Sequence, residues 1–215
     1  MRLLPSILII TAIAIALWQW SLLPRPRSRF FAALGLLIAA ALVMEVYGAI
    51  TNYYLVANNI PYNLFGQVEA LLVLYLIRTV RPTWRPWLIA SGVLFIAAFI
   101  GNAIYRETLD VLMSESILLI ALVLSVVLMS ALWWLAQTST EPLQKVPVFW
   151  VLIGLLIYFA GIVPTIGGYE FIFKEYETGH RVFHIVQGLC VIRYLLTAYG
   201  CHLAGRSVRG VDPSA

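Results

Sequence analysis

The sequence predicts an all-α, polytopic membrane protein. Its seven transmembrane helices form a three-plus-one-plus-three internal repeat, with the N-terminus outside and the C-terminus in the cytoplasm. Three observations carry this expectation. Hydrophobic residues make up 62% of the 215-residue chain and charged residues 11%, with a mean hydropathy of +0.92, far from soluble-domain composition. Three short strings recur in order at nearly constant spacing. Ala16-Leu17-Trp18 returns at Ala131-Leu132-Trp133 (offset 115), and Gly35-Leu36-Leu37-Ile38 at Gly154-Leu155-Leu156-Ile157 (offset 119). Phe65-x-x-Val68-Glu69-Ala70-Leu71-x-Val73 returns at Phe183-x-x-Val186-Gln187-Gly188-Leu189-x-Val191 (offset 118). Finally, tryptophan and basic residues are distributed unevenly between the two ends of the helices.

A bilayer core is crossed by roughly 20 mostly apolar residues. Seven stretches qualify: 3–22, 30–50, 61–80, 87–105, 111–135, 148–167 and 181–203. Residues 1–205 then form one membrane domain, with repeat 1 over 3–80, a linker helix over 87–105 and repeat 2 over 111–203. Residues 206–215 read as a flexible cytoplasmic tail, being polar and glycine-containing. Arg2, Ala14 and Ala16 also fit the outline of a signal peptide. The arginines that follow, and the part this stretch plays in the repeat, favour a retained first helix.

Seven crossings put Arg25, Arg27, Arg29, Arg78, Arg81, Arg85, Lys145, Arg206 and Arg209 on one side, against Glu141 and Asp212. The other side carries Arg2, Arg106, Lys174 and Arg181 among Glu107, Asp110, Glu170, Glu175 and Glu177. The positive-inside rule makes the first side cytoplasmic. All seven tryptophans (Trp18, Trp20, Trp84, Trp87, Trp133, Trp134, Trp150) fall at that same end, as residues that favour the headgroup level should. The net charge of +4 is met by anionic headgroups, with no need for nucleic acid. The expected location is the cell membrane.

Ionisable groups inside a span are costly and usually face the bundle interior. At 1.5 Å per residue from each helix midpoint, Glu115 and His184 come roughly 12 Å above the midplane and Asn102 about 9 Å. Glu45 and Gln187 come at roughly 7 Å, with Glu69 and Arg193 near the centre. Polar groups from five helices thus lie in the outer half or at the middle, which predicts an outward-facing polar cavity. Its candidate ligand-binding residues are Glu45, Glu69, Asn102, Glu115, His184, Gln187 and Arg193. In helix 2, Ala41, Glu45, Gly48 and Ala49 share a side; in helix 3, Tyr62, Phe65, Gly66 and Glu69 do. The repeat makes Glu69 and Gln187 equivalent, so the Gln187 amide is one candidate donor to the Glu69 carboxylate. Arg193 has the depth to pair with Glu69. Its alternatives are backbone carbonyls, Ser125 or Ser130, or snorkelling toward phosphates.

His180 and His184 stand one helical turn apart and are the candidate metal ligands, for zinc. This HxxxH resembles the motif opening the seventh helix of membrane hydrolases of the alkaline ceramidase and adiponectin receptor type. The resemblance implies an intramembrane zinc hydrolase. That family draws a third histidine from an early helix; here Glu45, Glu69 or Glu115 would have to replace it. The three-plus-one-plus-three plan with an outside N-terminus is similar to that of SWEET and PQ-loop carriers. Their pore-helix prolines are mostly missing, and no Pro-Gln pair occurs. Asn63-Leu64-Phe65 … Glu69 also resembles a pattern in seven-helix bacterial membrane proteins, which implies topology and no activity.

There is no GxSxG elbow, no phosphate-binding glycine loop and no lysine in helix 7, which disfavours a serine hydrolase, a nucleotide enzyme and a retinal protein. No cofactor is expected outside the zinc reading, and the balance of these features is against an enzyme. The leading expectation is a membrane protein that holds a small polar solute, as a proton-linked carrier. The alternatives are a heptahelical sensor acting through a signalling partner or homodimer, and the zinc hydrolase. Pro164-Thr165-Ile166-Gly167-Gly168 reads either as a hinge or as a helix stop.

Overall fold

The computed structural model describes residues 4–108, 111, 113–171 and 176–209, with side chains except at 169–171, 176–183 and 207–209. These residues form seven α-helices and two short 3-10 turns: α1 (Leu4–Ser21), α2 (Arg29–Tyr53), α3 (Asn59–Val80), α4 (Arg85–Arg106), α5 (Ser114–Thr138), α6 (Pro147–Phe171) and α7 (Tyr176–Arg209). The helices through α6 are each long and apolar enough to cross a membrane. The seventh expected stretch, 181–203, lies within α7, which extends to Arg209. Arg193, His184 and Gln187 dilute its hydropathy, and it is not among the six spanning candidates. Residues 210–215, most of the expected tail, lie outside those described.

Local chemistry sets several helix ends. Ser28 caps α2, its hydroxyl accepting from the Phe31 N–H at 3.4 Å. Pro86 and Pro147 stand in the first turns of α4 and α6, where a missing N–H costs nothing. By contrast, α6 does not stop at Pro164. It continues through Gly167 and Gly168 to Phe171, so the helix-stop reading does not hold. Proline breaks one backbone hydrogen bond there, and Thr165 Oγ1 donates to the Gly161 carbonyl at 2.5 Å.

Packing closes six helices into a ring. Each of α1, α2, α3, α5, α6 and α7 touches the next, and α7 returns to α1. α4 lies against α3 and α5 and buries only Leu88, Gly92 and Phe95. All seven tryptophans are at one end of this bundle. There Trp20 Nε1 donates to the Phe31 carbonyl at 2.6 Å, Arg81 stacks over Trp84 and Trp134, and Trp150 meets Tyr199 edge-on. Ile13, Ala16, Leu34, Leu37, Leu76, Ile77, Leu124, Leu128, Val151 and Cys201 are all almost fully buried.

The α6–α7 seam depends on small residues at two close approaches. A Cβ on Gly200 would lie 2.8 Å from the Pro147 carbonyl oxygen and 3.0 Å from Val151 Cγ2. One on Gly154 would lie 3.1 Å from the Arg193 carbonyl oxygen. Backbone atoms cannot step aside as a side chain can, so the helices would have to separate. Gly200→Ala is therefore expected to destabilise the protein by about 1–2 kcal/mol, despite alanine's better helix propensity. Thermal unfolding in detergent would show a lowered midpoint; an unchanged or raised one would contradict this packing.

Candidate functional site

Glu69 and Arg193 meet in the interior. Glu69 follows one turn after Gly66 on α3, and Arg193 sits on α7 between the exposed Ile192 and the buried Tyr194. Arg193 Nη1 donates to Glu69 Oε1 at 2.6 Å, with the two side chains 2% and 8% exposed. A charge-assisted bond this short, away from water, is among the strongest polar contacts available to a chain. Aromatic rings surround the guanidinium: its carbon lies 4.7 Å from the Tyr158 ring centre and 4.9 Å from that of Tyr194. Such faces favour a cation. Thr197 Oγ1 donates to the Arg193 carbonyl at 2.9 Å, while Arg193 Nη2 has no hydrogen-bond partner among the described residues.

Glu45 of α2 is close enough to interact electrostatically with both members of the pair. It makes no hydrogen bond or ion pair among the described residues. Tyr62 of α3 is near it, with its hydroxyl beside Gly48. The half-buried Glu45 thus brings a second carboxyl group beside the buried pair. Arg193 is committed to Glu69, so that among the described residues Glu45 has no counter-charge of its own.

The remaining expected site residues form two separate groups. Glu115 at the start of α5 accepts from Asn102 Nδ2 at 2.9 Å and pairs with Arg106, linking the end of α4 to the start of α5. On α7, His184 Nδ1 and Gln187 Oε1 lie 2.8 Å apart. Gln187 is therefore engaged with its own helix, and the expected Gln187–Glu69 contact gives way to Arg193–Glu69. Arginine's longer side chain and full charge reach a buried carboxylate that a glutamine on the same helix does not. The His180 side chain lies outside those described. Among the described residues no three His, Cys, Asp or Glu side chains gather as a metal site would require.

Two features escaped sequence reasoning. The aromatic surround of Arg193 draws Tyr158 from an otherwise apolar helix, and no local pattern marks it. The second is Asn63 with Gln67, although polar side chains four apart on one helix are a signal the sequence does carry. The Asn63 amide donates to the Val111 carbonyl at 2.8 Å, and its oxygen accepts from the Met113 N–H at 3.2 Å. Gln67 donates to Ser116 Oγ at 3.3 Å. Together they fasten the start of α5 to α3.

From Arg193 onward one face of α7 is buried (Arg193, Tyr194, Thr197, Ala198, Cys201) and the other exposed (Leu195, Tyr199, His202), whereas none of residues 184–192 is fully buried. On α3 a Cβ at Gly66 would meet nothing within 4 Å, so there is open space one turn above Glu69. Two surface concavities lie elsewhere. One of about 450 Å³ is lined by Ile7, Ile10, Val46, Ile50, Tyr53 and Tyr54 among others, and one of about 650 Å³ by Trp20, Arg25, Pro26, Arg27 and Ala32.

Fold and site together define a multi-pass, membrane-type helical bundle built around a buried ion pair. Comparison with protein-family models, with curated proteins and with solved structures finds no match for the chain.

Proposed function

We propose that the chain is a cell-membrane carrier for a small, polar, cationic solute. The solute enters from outside down to the Glu69–Arg193 pair, and Glu45 exchanges the proton that drives it. The observation that carries this reading is the buried pair itself. Two charges held in a membrane-type interior are expensive, and where they persist they mark substrate or proton pathways. Beyond the pair, the decline in burial toward the outer end of α7 and the open space beside Gly66 support an outward-facing cavity. The unmatched Glu45 favours a cation or a proton over an anion.

The same reading takes α7 as a seventh span: its 34 residues measure about 51 Å, and it packs against α1 and α6. It also takes the bundle as two three-helix repeats around α4. Exchanging the repeats turns the α1·α7 contact into α5·α3 and α1·α2 into α5·α6, and all four contacts are present. A two-fold interface of that kind commonly holds a transporter's site. Pro164 inside α6, followed by two glycines, supplies a place for one repeat to bend. The arginine-rich tryptophan end is cytoplasmic in this assignment.

The test is flux. Purified protein in liposomes loaded with a pH-sensitive dye should change the lumenal pH only when a transported cation is added from a panel of small quaternary ammonium ions, which cannot cross lipid as free bases. Glu45→Gln should reduce that response to the level of protein-free liposomes while leaving the unfolding midpoint close to wild type. Ions that stabilise the protein without any flux would replace the carrier with a sensor. A Glu45→Gln variant with undiminished proton movement would remove Glu45 from the role.

A further inference from the structure

At the tryptophan end, the turn between α1 and α2 forms a concavity of about 650 Å³ lined by Trp20, Arg25, Pro26, Arg27 and Ala32. We infer that this concavity binds a phosphate group. Arg27 is held rather than free. Its guanidinium lies 3.8 Å over the Trp20 ring, and Nη2 donates to the Ser21 carbonyl at 3.0 Å. Trp20 is itself anchored by its bond to the Phe31 carbonyl at 2.6 Å. A stacked, tethered guanidinium presents its remaining donors in a fixed geometry suited to phosphate oxygens.

Arg25 stands exposed on the same wall, and neither arginine forms an ion pair among the described residues. Ala32, in the first turn of α2, completes the lining, and that turn carries no acid. The positive end of the α2 dipole adds to the attraction for an anion. Trp18 and Trp20 put the concavity at headgroup depth, where tryptophan concentrates. A phospholipid headgroup and free inorganic phosphate share this chemistry, and the experiment must tell them apart.

Native mass spectrometry of the full chain released from detergent reads bound lipid directly. Wild type should retain phosphatidylglycerol in preference to phosphatidylcholine. Arg25→Gln and Arg27→Gln should each cut that retention about fivefold, the effect of removing one basic side chain near an anionic headgroup. Arg25→Gln matters most, because this side chain is exposed and its loss should leave folding intact. Arg85→Gln, a basic residue at the same end but outside the concavity, should leave retention unchanged. If inorganic phosphate raises the unfolding midpoint, and Arg25→Gln removes the rise, the site holds with a free anion as its ligand. Equal losses in all three variants, or none in Arg25→Gln and Arg27→Gln, would overturn the assignment.

Discussion

Glu69→Gln is expected to destabilise the protein by about 3–5 kcal/mol, the usual consequence of removing one partner from a buried ion pair. The new amide is nearly isosteric, so almost nothing in the packing changes. What changes is that Arg193, 2% exposed, keeps its charge and loses the carboxylate 2.6 Å away. Tyr158 and Tyr194 offer only ring faces, which offset a fraction of that loss. The charge cannot leave by deprotonation, because a guanidinium stays protonated in proteins.

The companion expectation is that Glu69→Leu combined with Arg193→Met recovers most of the stability, since a well-packed apolar replacement of both partners is often neutral or better. Unfolding of wild type, Glu69→Leu, Arg193→Met and the double variant in one detergent gives the coupling energy. A Glu69→Gln variant as stable as wild type would mean that the pair contributes little to folding. Flux then separates structure from mechanism. A stable double variant that no longer moves solute assigns the pair to transport, whereas one with full flux reduces it to a structural contact.

Asn63→Leu is expected to cost about 2–3 kcal/mol, because it strands two backbone groups that the Asn63 amide satisfies. The Met113 residue is 1% exposed, so water cannot readily replace the acceptor for its N–H. Met113 immediately precedes α5, and its N–H bond to Asn63 Oδ1 at 3.2 Å fixes where that helix begins. The first turn of α5 carries Glu115 and Ser116, so their contacts with Arg106, Asn102 and Gln67 should loosen together. Hydrogen exchange reads this locally: the Met113 amide should exchange faster, with little change at the buried Leu124 and Leu128. Unchanged protection at Met113 would show that the loop is held by other means.

Helix positions were legible because hydrocarbon-length apolar runs admit few other structures. Every one of the seven expected stretches overlaps a helix, with ends differing by a few residues in all but the last. There, α7 runs six residues past the expected end, since the polar residues that lower hydropathy around Arg206 do not stop a helix. Pro164 shows the reverse. Proline followed by glycines writes a stop and a tolerated kink in the same letters, and only neighbouring helices decide which is made.

What the sequence by itself determined is the class of fold, the gathering of tryptophan at one end, and the common depth of Glu69 and Arg193. All three follow from one-dimensional quantities: hydropathy, order along the chain and rise per residue. What only the tertiary structure decided is partnership. Periodicity gives the angle of a side chain about its own helix, but not which neighbour that angle faces. Gln187 and Arg193 were both at plausible depths for Glu69. The six-helix ring turned Arg193 inward between Tyr158 and Tyr194, and left Gln187 beside His184. It placed Glu45 near the pair, with no hydrogen bond or ion pair of its own among the described residues. It also set Asn102 and Glu115 apart between α4 and α5, because α4 packs outside the ring.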